Sequence, residues 1–169
     1  KPKCLVPVKG IPMIMNTIEK YKDKEIIIIA DYKADVLEAY LTNFCKHNFN
    51  VYQTTEQGTA GGLTKVMDSI PDDEPFILTW ADLFFEETPE FVFDKDLLVG
   101  LSDSFKCRWK LENNKFVNEA STEIGVAGFF AFKNKERFDK LSISKSLVRG
   151  FLTENYKDSE IESFTLSNC

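Results

Sequence analysis

Apolar and polar residues alternate differently in the two halves of this chain. "EIIIIA" (25 to 30) is a short β-branched run bounded by charge, the pattern of a parallel strand buried on both faces. Val36, Leu37, Tyr40, Leu41 and Phe44 then recur at helical spacing on one face. "NVYQ" (50 to 53) predicts a second strand. Leu63, Val66, Met67 and Ile70 predict a helix, which Pro71 ends because it cannot extend the hydrogen-bonded turn. "PFILTWAD" (75 to 82) predicts a third strand that closes on a lone acid. Upstream, "KCLVPV" leads through Lys9 and Gly10 to a helix with Pro12 near its first turn and Met13, Ile14, Ile18 and Tyr21 along it.

Strands and helices joined by short connections are the pattern of a parallel sheet covered on its faces. Beyond residue 86 the pattern changes. "LLVGL", "KCRWKL", "KFVN" and "VAGFFAF" all have strand character, and "LENNK" supplies a hairpin turn between two of them. Helical spacing returns at about 134 to 141 and 145 to 155, followed by a last strand, "IESFTL". The expected fold is α/β: a Rossmann-like, mostly parallel sheet flanked by helices, with an antiparallel extension in the second half. One domain is expected over residues 1–169, with halves at 1–86 and 87–169.

Composition narrows the function. The 169 residues are 43% apolar and 28% charged, as in a water-soluble globular protein, and carry a net charge of −6, which argues against a broad nucleic-acid surface. No apolar run approaches the roughly 18 residues of a membrane span, and no signal peptide opens the chain. Cys4, Cys45, Cys107 and Cys169 lie far apart without a CxxC pair, so reduced thiols in a cytoplasmic protein are expected. His47 is the only histidine and no Gx[ST]xG elbow is present, which excludes multi-histidine metal sites and argues against hydrolase triads.

Open parallel sheets bind ligands outside the carboxyl ends of their strands. Gln53, the small-residue run from Gly58 to Gly62, and Asp82 all fall there. A carboxylate just past a buried strand can hold a divalent cation, or simply cap a helix or turn. Small residues between strand and helix allow the backbone to approach a ligand, or serve only a tight junction.

Four ordered blocks decide between these alternatives: "PKCLVPVKGIPMI", "IIIIADYKADVLEAYL", "VYQTTEQGTAGGL" and "PFILTWADLFF". Together they resemble the sugar-1-phosphate nucleotidyltransferases, whose segments look like "PKxLLPVxGKPMI", "IxIVxGYKAExIxxYL", "VxQxxxLGTAGAL" and "PFLVLxGDxLF". The resemblance covers about residues 1 to 86 and continues weakly through "FVNEAST" and "GVAGFFAF". It implies that Gln53, Gly58 and Thr59 contact the nucleotide, with Gln53 and Gly58 at the base edge. It implies that Lys3 offsets charge on the triphosphate and that Asp82 is the ligand of a Mg²⁺ cofactor. The resemblance further implies, on the short match "VNE", that Glu119 stands for the family's acidic residue in contact with substrate hydroxyls. Arg108, in "FKCRWK", has a guanidinium suited to a phosphate or carboxylate, or stands as a solvated strand residue.

There are departures from the family pattern. The glycine-rich "LAAGxGTRL" loop and the late "DIGTPE"-like aspartate of the family are absent, Val126 stands where an asparagine is usual, and Asp31 replaces a glycine. A piece of a longer chain is the favoured explanation, because a lost central strand would leave an open sheet edge. The implied activity is a Mg²⁺-dependent nucleotidyltransferase. It would move a nucleoside monophosphate, pyrimidine favoured, from a nucleoside triphosphate to a phosphosugar or other phosphorylated metabolite, serving polysaccharide (capsule) or glycoconjugate synthesis. The expected partners are those two small molecules, without nucleic acid or membrane, and a homo-oligomer is allowed. The alternative is a catalytically silent regulatory or assembly domain of the same fold.

Overall fold

The computed structural model describes residues 1–55, 58–113, 115–136, 161–166, 168 and 169. A 3-10 helix at Lys3–Leu5 leads into a small hairpin, β1 (Pro7–Val8) against β2 (Ile11–Pro12). Its turn residues, Lys9 and Gly10, have φ of 52° and 83°, as a tight two-residue hairpin turn requires. Pro12 directly precedes α1 (Met13–Lys20), where its missing N–H costs little because first-turn donors have no helical acceptor. Ile14 and Ile18, one turn apart, are the buried positions of α1.

β3 (Ile27–Ala30) and β4 (Asn50–Gln53) pair in parallel, with Ala30 opposite Gln53, and α2 (Ala34–Phe44) forms the crossover between them. The buried stripe of α2 is Ala34, Leu37 and Leu41. Val36 and Phe44, expected on that stripe, are instead 44% and 63% exposed. Phe44 lies against Tyr40, ring centroids 4.8 Å apart, on the outer flank of the helix. The helix expected from Leu63 to Ile70 is also different. α3 (Gly58–Thr64) stops early, and a 3-10 turn at Met67–Ser69 follows. Gly61 and Gly62 weaken a helical run, while Leu63, Val66 and Met67 still reach the core.

The larger sheet contains β5 (Phe76–Thr79), β6 (Leu97–Ser102), β7 (Lys110–Glu112), β8 (Lys115–Val117), β9 (Gly125–Phe132) and β10 (Ile161–Thr165). β9 is its hub, with β6 along one edge and β5 and β7 in succession along the other, all antiparallel to it. β10 adds in parallel to β6, so β5, β6 and β10 run one way and β9 runs against them. The β7–β8 hairpin forms the antiparallel extension, turning at Asn113, which has φ 49°. The strand expected across "KCRWKL" is shorter than its pattern suggested. Cys107 makes a single bridge with Ser121, and β7 starts only at Lys110. The helices expected at 134 to 141 and 145 to 155 lie outside the described residues from 137 onward.

Among the described residues β3 pairs only with β4, and β5 only with β9. The two pieces nevertheless share a core. Ile27 and Ile29 of β3 and Phe76 and Leu78 of β5 pack on one cluster with Leu63, Val66, Val99 and Phe130. The opposite face of β3 packs on α1 and α2 through Ile28 and Ala30. The opposite face of β9 carries Phe129, amid Phe85, Phe91 and Phe164. Among the described residues no helix is long and apolar enough to cross a membrane.

Candidate active site

Contacts around Ala30 gather one edge of the sheet. Ala30 ends β3 opposite Gln53, and its carbonyl accepts the Thr54 N–H at 2.9 Å. The 3-10 helix that carries Lys3 seats Cys4 in the same cluster as Ala30 and Ala34. Burial pushes the Cys4 thiol pKa up, and the negative charge of Asp82 acts in the same direction. Gln53, opposite Ala30, and the 3-10 helix of Lys3, packed on Ala30 through Cys4, thus adjoin the end of β3, Asp82 follows the end of β5, and all three residues are exposed.

α3 closes this edge from the side. A Cβ at Gly62 would lie 2.9 Å from Ile29 Cγ2 and 3.5 Å from Thr54 Cγ2, so the missing side chain is what seats the helix on the strand ends. The small-residue run thus has a packing duty at Gly62. Gly58 and Thr59 are the first two residues of α3, next along the chain from the exposed Gln53 region.

Asp82 follows β5 on a short turn, with the Leu83 N–H donating to the Trp80 carbonyl at 3.1 Å. Among the described residues no hydrogen bond or ion pair holds its carboxylate, and no cluster of three or more His, Cys, Asp or Glu occurs. A lone exposed carboxylate suits Mg²⁺, whose octahedron is commonly completed by phosphate oxygens and water rather than by a protein cage.

A second group surrounds β7. Arg108 is exposed between the buried Cys107 and Trp109. Glu119 is exposed, but it is not free: Lys110 Nζ lies 2.9 Å from its carboxylate and 3.3 Å from that of Glu112. The hydrogen bond to Glu119, assisted by Glu112, raises the Lys110 pKa and keeps the ammonium charged. Lys110, Glu112 and Glu119 line a cavity of about 330 Å³ together with Ser121 and Glu123; Arg108 is not among its lining residues. Lys110 was missed in the sequence, although its place two residues after Arg108 was a usable signal. The link between the groups is β9: Gly125 pairs with Lys110, and Gly128 accepts the Trp80 N–H at 2.9 Å.

No family model matches the chain. Among curated proteins it is similar to the bifunctional protein GlmU of Methanocaldococcus jannaschii, 30% identical over 94 residues, covering 53% of this chain and 22% of that protein. Solved structures align over nearly the whole chain. HddC from Yersinia pseudotuberculosis superposes with a TM-score of 0.71 at 18% identity, covering 98% of this chain and 81% of its own. The CTP:phosphocholine cytidylyltransferase LicC from Streptococcus pneumoniae gives 0.71 at 16%, with the same coverage. The inositol-1-phosphate CTP transferase from T. maritima gives 0.68 at 14%, covering 98% and 77%.

The chain has the fold of the sugar-1-phosphate nucleotidyltransferases. Within that nucleotidyltransferase fold, the α/β expectation holds, including the antiparallel second-half extension. At these identities the likeness concerns the fold, and the aligned stretch spans about a fifth of the length of the GlmU relative.

Proposed function

We propose that the protein transfers a nucleoside monophosphate from a nucleoside triphosphate to a phosphorylated small molecule. The observation that carries this reading is the likeness to the nucleotidyltransferase fold, in which Gln53 ends β4, Asp82 follows β5 and Lys3 stands on the 3-10 helix packed on Ala30, all three exposed. An acceptor phosphate oxygen attacks the α-phosphorus in line. The bond from that phosphorus to its bridging oxygen breaks, and pyrophosphate leaves. No covalent enzyme intermediate is needed, so positioning and charge neutralisation supply most of the rate.

Asp82 would hold Mg²⁺, which when bound offsets charge on the phosphates. Lys3, on its 3-10 helix, places an exposed ammonium beside the same edge to stabilise the triphosphate and the departing pyrophosphate. The Gln53 amide donates and accepts, as a pyrimidine edge requires, and the backbone at Gly58 and Thr59 borders the base. Arg108 and Glu119 serve the acceptor from the second half. A phosphosugar or a phosphorylated metabolite used with CTP fits this arrangement, in the cytoplasm and upstream of polysaccharide or glycoconjugate assembly.

The test is pyrophosphate release by the full-length protein with Mg²⁺. Four common nucleoside triphosphates are crossed with glucose 1-phosphate, inositol 1-phosphate and phosphocholine. Release is expected for one pairing, and Asp82→Asn should lower its turnover by several orders of magnitude while the far-UV spectrum stays native. A folded protein that releases none with any pairing would favour a silent regulatory or assembly domain.

A further inference from the structure

Opposite β6, strand β9 departs from regular pairing. Gly100 faces Phe129 and Leu101 faces Val126, so Ala127 and Gly128 have no counterpart and form a bulge. Gly128 has φ +94°, a conformation open to glycine and strained for side-chain-bearing residues. A Cβ built there would lie 2.0 Å from Trp80 Cε3, 2.2 Å from Cδ2 and 2.7 Å from Cζ3. These atoms belong to the six-membered ring of the indole, which therefore rests directly on the Gly128 backbone. The same backbone holds Trp80 a second way, because Gly128 O accepts the Trp80 N–H at 2.9 Å.

Trp80 is also the first residue of the turn that presents Asp82. Its carbonyl accepts the Leu83 N–H at 3.1 Å, and Leu83 and Phe85 beyond it are 5% and 1% exposed. The turn is thus fixed upstream by the bulge and downstream by the core, while the Asp82 carboxylate stays in solvent. We infer that Trp80 and Gly128 are positioning residues that aim Asp82 from the β9 bulge, an inference resting on the metal-holding role of Asp82 proposed above. A simple packing role predicts that disturbing this pair lowers stability alone. A positioning role predicts a change in metal affinity in protein that remains folded.

The experiment titrates Mn²⁺ into the full-length protein with a non-hydrolysable nucleoside triphosphate analogue, reading free Mn²⁺ by electron paramagnetic resonance. Far-UV circular dichroism and melting are followed alongside. Loss of a supporting contact beside a metal site typically costs about 10–100-fold in affinity. Gly128→Ala, which drives a methyl into the indole, is expected to weaken Mn²⁺ binding by that range. In an Asp82→Asn background it should weaken binding no further. Should Gly128→Ala fail to fold, Trp80→Ala and Trp80→Phe decide the matter: the first weakens Mn²⁺ binding about tenfold or more, and the second, which restores a flat ring on Gly128, recovers most of it. Wild-type Mn²⁺ affinity in folded Gly128→Ala, or in Trp80→Ala, overturns the inference. Additive weakening on top of Asp82→Asn overturns it as well. If Asp82→Asn alone leaves both Mn²⁺ binding and turnover unchanged, the metal-holding role of Asp82 falls, and this inference with it.

Discussion

Replacing Phe129 by alanine tests how the core supports the candidate site. Phe129 is fully buried on β9, opposite Gly100 on one side and Thr79 on the other. Its ring meets Phe85 edge-on at 5.5 Å and 88°, Phe164 edge-on at 5.9 Å and 88°, and Phe91 at 5.7 Å and 37°. A buried Phe→Ala change costs about 3–5 kcal/mol, and three ring partners put this site at the upper end. Domains have only about 5–15 kcal/mol in total. At about 2–4 °C per kcal/mol for a chain of this size, the melting temperature should fall by about 10–20 °C. Phe129→Leu keeps most of the volume and loses the two edge-on contacts, for about 1–3 kcal/mol. Urea unfolding followed by far-UV circular dichroism gives both numbers, provided the slope with denaturant is unchanged. An alanine variant destabilised by under about 1 kcal/mol, or a leucine variant as costly as the alanine one, would refute the account of an aromatic cluster centred on Phe129.

Other expectations follow from single contacts. Gln53→Ala should raise the nucleotide KM and blur the choice among triphosphates, by about 5–150-fold for the ~1–3 kcal/mol of an unpaired polar edge; an unchanged preference places base reading elsewhere. Arg108→Lys should raise the acceptor KM and leave the triphosphate KM alone, whereas an unaltered acceptor KM in Arg108→Ala reduces it to a surface charge. Tyr21 buries a hydroxyl that has no hydrogen-bond partner among the described residues, and burial pushes its pKa from 10 up to about 12. Because the folded pKa lies above the unfolded one, the native state keeps this advantage below about pH 10 and loses it between pH 10 and 12. Tyr21→Phe should flatten that alkaline loss in melting temperatures measured across the range; an identical pH profile would clear Tyr21 of the effect.

Local patterning revealed most of the elements, and long-range chemistry revealed fewer of their partners. "NVYQ" and the run to Ala30 became paired parallel strands because β-branched and apolar residues fit a covered sheet in any context. The outer flank of α2 was misjudged because five apolar residues span more of a helix than its neighbours cover, and periodicity cannot say which edge of the stripe stays wet. Gly62 was legible as a small residue, but its reason, the Ile29 methyl, lies 33 positions away. Lys110 and Trp80 escaped for the same cause. A lysine's salience depends on Glu119 folding back beside it, and the tryptophan's on a glycine 48 residues later.

The hub position of β9 has a consequence for the order in which the chain folds. Among the described residues the cluster around α1 and α2 draws on positions between Cys4 and Val51, so its contacts close over short loops. The other two clusters require β9, which must find β5 some 50 residues back, and β10 must then find β6 across roughly 60 more. Non-local pairings of this kind form slowly, since loop closure is spent before any contact repays it. During synthesis residues 4–51 can gather their own core early, while β5, which leads to Asp82, waits with its apolar face uncovered until β9 is made. Pulsed hydrogen exchange during refolding should accordingly protect α1 and α2 before β5; simultaneous protection of both would show that the hub does not set the order.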